Sequence, residues 1–316
     1  MTAPAKGTVS RGIGFTALGF AVLLFSINGT VAKWVLNHGF NAARLAEVRV
    51  TAAFAILLVF ALFMARADLK LKWREVLPML AYGIIGIGMT QYLYFVGIAR
   101  LPIGVALVIE FTSPVMVALY ARFVQHHAVR PLVWVALALV MVGLVLVTQA
   151  WDGFKLDVIG TLAAFGAALA LCVYFIGGEY YVARRQPIAT ATLSMGAASL
   201  MWAIVLPWLT FPFADFGKSI PAGSSDVPIW AAVVWIVVLG TAVPFMLEFT
   251  ALQRLSARQA AIIGTLEPVV AAIIAFLVLG EVLTWAQGLG GLIVLGGVIM
   301  AESASEDASP SVPVGQ

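Results

Sequence analysis

Apolar residues along this chain come in blocks of about 20, the length a helix needs to cross the hydrocarbon of a bilayer. Such runs lie at Ile13–Leu36, Ala43–Met64, Val76–Ala99, Pro102–Ala121 and Pro131–Gln149. A second set follows at Asp157–Tyr181, Ala189–Phe211, Val227–Ala251, Ala257–Leu279 and Leu283–Met300. Polar or Gly/Pro breaks separate nearly every neighbouring pair, so the pattern predicts an all-α membrane protein of ten transmembrane helices. Helices satisfy their backbone groups internally, which the hydrocarbon demands. The first run exceeds a signal-peptide apolar region and shows no small-x-small cleavage site, so it reads as a retained helix. Residues 1–12 form a short leading segment. Residues 301–316, acidic and rich in Ser and Pro, read as a disordered tail.

Composition agrees: 62% of the 316 residues are hydrophobic and only 10% charged, with a mean hydropathy of +1.04. A water-soluble globule carries about 25% charged residues. The excess of 18 Lys/Arg over 15 Asp/Glu is too small to point to nucleic acid. Its placement says more, because Lys and Arg stay cytoplasmic in short loops. With the N-terminus inside, the cytoplasmic side holds Lys6, Arg11, Arg66, Lys70, Lys72, Arg74, Arg122, Arg130, Arg184, Arg185, Arg254 and Arg258. The other side holds Lys33, Arg44, Arg49, Arg100, Lys155 and Lys218, and Lys33 and Arg49 fall within helices. Both termini are therefore expected in the cytoplasm. The single Cys172 excludes an intrachain disulfide framework and a cysteine zinc site. No cofactor or metal is expected.

The two halves align without a gap at an offset of 154 residues. Phe95 falls on Phe249, Arg100 on Arg254, Leu101 on Leu255, Pro114 on Pro268, Val115 on Val269, Ala118 on Ala272 and Gly143 on Gly297. The repeats span 13–150 and 157–300. Five helices per half is an odd number, so the second half enters the membrane in the opposite sense. Secondary transporters commonly use this inverted plan, with the substrate at the repeat interface.

Candidate chemistry follows from polar residues at membrane depth. Pro114 and Pro268 stand at equivalent positions, and each removes a backbone hydrogen bond; paired interruptions of this kind point to a binding site. Pro244 is a third break. Glu110, one turn before Pro114, lies roughly 12 Å into its helix at 1.5 Å per residue. Glu267 adjoins Pro268, and Glu248 follows Pro244 by one turn. A carboxylate in hydrocarbon must face a cavity or a partner, receiving a substrate ammonium or a proton, or locking helices together. Lys33 and Arg49 are the cations that could meet a carboxylate, although Lys33 has the reach to snorkel outward. Arg49 lies on a different face from Glu47 and needs a partner on another helix. Asn28, Gln91, Tyr92 and Tyr94 suit a cavity wall, with Gln91 and Tyr94 sharing a face; tyrosines also mark membrane interfaces. Gly288, Gly290, Gly291, Gly296 and Gly297 on the tenth helix suit close helix packing rather than phosphate binding. His126 and His127 are adjacent, project differently and make poor metal partners.

The segment LEPVVAAIIAFLVLGEVLTWAQGLGGLIVLGG, Leu266 to Gly297, resembles the EamA type of the drug/metabolite transporter superfamily in its Glu-Pro, Gly-Glu and Gln-x-x-Gly spacings. The likeness extends over nearly all of Gly14–Met300. The first half departs where His126-His127 replaces the Gly-Glu pair. SINGTVAKW (Ser26–Trp34), GVALVIEFTSP (Gly104–Pro114) and GTAVPFMLEFTALQRL (Gly240–Leu255) look like the bacterial threonine/homoserine exporter group, with aromatic amino-acid exporters of the YddG type a near alternative. The resemblance implies ten helices around a central cavity, amino-acid efflux, and motif residues Lys33, Arg49, Glu110, Pro114, Pro244, Glu248, Glu267 and Pro268.

These readings converge on an inner-membrane exporter of threonine/homoserine-like neutral or aromatic amino acids that works by alternating access. The buried glutamates would hold the ammonium. Lys33, Arg49 or backbone amides would meet the carboxylate, and Tyr92, Tyr94 and Phe111 would wall the side chain. The same glutamates would serve a proton exchange, in a monomer or a homodimer. A sugar, drug or other metabolite carried by the same fold is the alternative. No catalytic pair or metal cluster recommends an intramembrane enzyme, and a channel generally needs a pore-lining ring from several subunits.

Overall fold

The structure is a computed structural model that describes residues 8–101, 103–126, 128–149, 157–222, 225–279 and 284–306. Helix α1 (Thr8–Asn37) is followed by α2 (Ala42–Met64), α3 (Trp73–Tyr82), a π-helical segment at Gly83–Met89, and α4 (Thr90–Arg100). Then come α5 (Ile103–Glu110), α6 (Ser113–Phe123), α7 (Pro131–Thr148), α8 (Val158–Val182) and α9 (Pro187–Val205). The chain continues with α10 (Ile229–Val237), a second π-helical segment at Val238–Ala242, α11 (Val243–Leu252), α12 (Ala257–Gly264), α13 (Glu267–Leu279) and α14 (Trp285–Glu306). Among the described residues, eight helical stretches are long and apolar enough to cross a membrane. The protein is an all-α multi-pass membrane protein.

Local chemistry sets most boundaries. Asn41 caps α2 by accepting hydrogen bonds from the Ala43 and Arg44 amides at 2.9 and 3.2 Å, and Asp157 caps α8 through the Gly160 amide at 2.7 Å. Such caps satisfy amides that the first turn leaves without partners. Pro131 and Pro187 open α7 and α9, where a missing N–H does no harm.

Several expected boundaries are corrected. The seventh apolar run was expected to continue to Phe211, but α9 ends at Val205 because Pro207 excludes the residue before it from helical geometry. Residues 206–222 and 225–228 instead form two short 3-10 turns and a small antiparallel strand pair, β1 (Ser219–Ala222) with β2 (Ser225–Pro228). Val227, expected inside the eighth helix, belongs to β2. Helix α14 runs through Glu306, past the expected end at Met300; residues 307–316, Lys6, His127 and Lys155 lie outside the described residues. The fourth and ninth runs are not continuous helices. Each breaks, at Phe111–Thr112 and at Thr265–Leu266, so Pro114 and Pro268 stand second in α6 and α13 rather than inside an unbroken helix. The breaks are closed by tight i→i−3 bonds, Thr112 to Ile109 at 3.1 Å and Leu266 to Ile263 at 3.0 Å.

The 154-residue offset reappears in these irregularities. Adding it to α5 gives the bounds of α12, and adding it to Ser113 gives Glu267, the first residue of α13. The π segment after α3 maps onto the one after α10. Packing follows the same exchange: α4 on α8 corresponds to α11 on α1, and α6 on α8 to α13 on α1, while α2–α9 and α7–α14 correspond to themselves. At the α7–α14 seam, a Cβ added to Gly143 would meet the Gly290 carbonyl at 2.8 Å, and one added to Gly297 the Ala136 carbonyl at 3.0 Å. Small residues let the backbones approach this closely. Gly288 and Gly296 have no such neighbour within 4 Å.

Loop contacts sort into two ends. At one, Arg185 donates to the Asp68 and Lys70 carbonyls and pairs with Glu75 at 2.7 Å. At the same end the Ala257 amide donates to Glu179 at 2.9 Å. At the other, Arg44 donates to the Thr210 carbonyl at 3.1 Å, Trp34 to the Pro221 carbonyl at 3.1 Å, and Arg100 lies 3.6 Å from Asp157.

Candidate functional site

A cavity of about 750 Å³ of empty space lies where α1, α2, α4, α8 and α11 meet the two helix breaks. Its polar wall is built from backbone defects. Pro244 has no N–H to offer the Gly240 carbonyl four residues earlier. Arg49 supplies the missing donor from α2: its Nη2 lies 2.7 Å from the Gly240 oxygen, and its Nε donates to Thr241 Oγ1 at 2.5 Å. Thr241 in turn donates to the Ile236 carbonyl at 2.6 Å. The guanidinium also lies 5.4 Å from the centre of the Phe95 ring, close enough for a cation–π contact. Arg49 is 2% exposed. Its partner is on another helix, as the sequence required, and it is a carbonyl and a hydroxyl rather than a carboxylate. Gly240 is required here for a second reason, since any Cβ would collide with the Asn28 amide.

The three acids converge on the cavity. Glu110 ends α5 and Glu267 begins α13, so each borders one of the helix breaks; Glu248 comes from α11. Glu248 accepts a hydrogen bond from the Tyr174 hydroxyl at 2.9 Å. Among the described residues, no hydrogen bond or ion pair engages the Glu110 or Glu267 carboxyl group. Ser26 binds the backbone carbonyl of Glu267 at 2.8 Å, fixing the start of α13 against α1.

Of the residues singled out in sequence, Asn28, Arg49, Gln91, Tyr94, Glu110, Phe111, Glu248 and Glu267 line this one cavity. Lys33 and Tyr92 do not. Lys33 reaches the Leu101 carbonyl at 3.4 Å, at the end that holds Arg44 and Arg100, and Tyr92 packs edge-on against Trp202 with ring centres 5.3 Å apart. Sequence reasoning missed Phe25, Thr90, Tyr174, Phe175 and Phe245. Tyr174, within an apolar helix, carried the same signal as Tyr94; the phenylalanines carried none, because an apolar ring in an apolar helix faces lipid as readily as a cavity. Among the described residues, no His, Cys, Asp or Glu group is arranged to hold a metal ion.

A cavity that joins one fixed guanidinium, three carboxyl groups, two amides and aromatic walls suits a small polar solute. The profile of the EamA-like transporter family matches residues 12–149 and again 158–302. The chain belongs to the EamA-like transporter family. This transporter is 32% identical over 243 residues to the threonine/homoserine exporter RhtA of Escherichia coli K12, covering 75% of this chain and 73% of RhtA. It is 33% identical over 225 residues to RhtA of Salmonella typhimurium SL1344, covering 69% of this chain and 68% of that one. An uncharacterized transporter of Archaeoglobus fulgidus is 25% identical over 283 residues, covering 89% and 94%. One crystal structure superposes with a TM-score of 0.73 at 20% identity, over 96% of this chain and 99% of that one, which establishes a shared fold.

Proposed function

We propose that this EamA-like transporter exports amino acids, threonine/homoserine-like neutral or aromatic ones, across the bacterial inner membrane by alternating access. The observation that carries the reading is the cavity in which Arg49 stands with Glu110, Glu248 and Glu267 among apolar helices. A zwitterion needs both signs of charge, and few other solutes do. Its ammonium binds a glutamate; its carboxylate binds the face of Arg49 turned to the cavity, together with Gln91. Phe111, Tyr94 and the rings from α8 and α11 enclose its side chain. The similarity to RhtA, a threonine/homoserine exporter, supports the same substrate class.

The chain crosses the membrane ten times as two inverted five-helix repeats at 13–150 and 157–300. The equal offset of the helix breaks, the π segments and the packing pairs supports this plan. The broken fourth and ninth helices are the moving parts, since their backbones lack a continuous hydrogen-bond ladder where the acids sit. The end bearing Arg185 is cytoplasmic, with both termini there, and a proton on one of the glutamates is exchanged for the substrate ammonium. The test is purified protein in liposomes preloaded with a panel of radiolabelled amino acids. Efflux of at least one amino acid above empty liposomes is expected. Movement of a sugar or drug with no amino acid moving would refute the substrate while leaving the transporter.

A further inference from the structure

Acidic groups around the cavity outnumber basic ones. Three carboxyl groups and one guanidinium line it, Lys33 lies elsewhere, and two of the guanidinium's donors are already bound to Gly240 and Thr241. Burying a carboxylate without a cation is unfavourable. A zwitterion adds one charge of each sign and leaves the imbalance unchanged. A second ammonium reduces it. One further observation points the same way. The cavity wall carries aromatic rings, with Phe25 and Tyr174 each edge-on to Phe245 at 5.3 and 5.6 Å, and aromatic faces attract desolvated cations.

We infer that the cavity selects amino acids carrying a second ammonium group over their neutral isosteres. The inference rests on the amino-acid reading above and departs from it in the side chain preferred, a cationic one in place of a neutral one. Glu248 accepts a hydrogen bond from Tyr174, whose ring is edge-on to Phe245, whereas Glu110 and Glu267 border the two helix breaks. In this arrangement the α-ammonium and α-carboxylate are assigned to Arg49 and the acids at the breaks. The second ammonium reaches Glu248 among the rings.

L-2,4-diaminobutyrate and L-homoserine test this directly, because they differ only in an ammonium against a hydroxyl on the same carbon. Counterflow in proteoliposomes containing the full chain should give diaminobutyrate a half-saturating concentration at least roughly tenfold below that of homoserine. Glu248→Gln should lower that preference at least roughly fivefold, and Glu248→Asp should keep it. Equal affinities, or homoserine preferred, would overturn the inference and leave amino-acid export standing; protons would then balance the cavity. If no amino acid in the panel moves, both readings fall. The wild-type ratio decides the matter even if Glu248→Gln does not fold.

Discussion

The two π-helical segments occupy equivalent places in the halves and are closed by different chemistry. In the first, Thr90 follows the segment, and its hydroxyl donates to the Gly86 carbonyl at 3.0 Å. The equivalent residue in the second is Pro244, and the equivalent carbonyl, that of Gly240, takes its donor from Arg49 on α2. The first closure is local and neutral. The second ties two helices together and places a charge beside the cavity. A repeated backbone defect is thus closed by neutral chemistry in one half and by a charge in the other, and Thr90 lines the cavity as Arg49 does.

The acids follow the same rule. At the 154-residue offset Glu110 corresponds to Gly264, Glu248 to Tyr94 and Glu267 to Ser113. Each acid occurs in one half only, whereas Pro114 and Pro268 occur in both. The helix breaks are what the halves share; the acids that line the cavity are where they differ.

The largest test removes the clamp. Arg49→Met should leave Gly240 and Thr241 without their donor, lower stability by about 3 kcal/mol and the melting temperature in detergent by roughly 5–10 °C. Flux should fall by more than about a hundredfold, which corresponds to about 2.7 kcal/mol. Adding Pro244→Ala restores an N–H for Gly240 and should recover a substantial part of the melting temperature without the flux. If the second substitution recovers nothing, the clamp is not what Arg49 provides. Next in size, Glu110→Gln should insert normally and transport at least roughly tenfold more slowly, a loss of about 1.4 kcal/mol. Near-normal flux would move the charge role to Glu248 or Glu267. Tyr174→Phe removes the hydroxyl that donates to Glu248 and should raise the half-saturating substrate concentration roughly threefold, about 0.7 kcal/mol. Thr90→Val is the smallest, roughly 1 kcal/mol of stability with flux within about twofold of wild type. A loss as large as that of Arg49→Met would show that the two closures are equivalent after all.

The all-helical membrane class and the recurrence of the helix breaks at one offset were legible because hydrocarbon leaves few options. A segment must be apolar for about 20 residues and must pair its own backbone. The same constraint made Glu110, Glu248, Glu267 and Arg49 conspicuous, since a charge at that depth needs a reason. Boundaries were less legible where helix and hairpin share an apolar composition, as between Leu206 and Pro228.

Sequence by itself determined that this chain is a bundle of membrane helices with a doubled plan and buried charges of both signs. Tertiary structure alone decided that Lys33 and Tyr92 lie outside the cavity, although their depth and polarity resembled those of Arg49 and Tyr94. It also decided that Phe25, Tyr174 and Phe245 lie inside it, and that Arg49 answers a proline on another helix rather than a glutamate. Hydropathy records how far along the membrane normal a residue stands. Which way it points around its helix, and what meets it there, depends on how the helices pack, and that information lies in residues far apart along the chain.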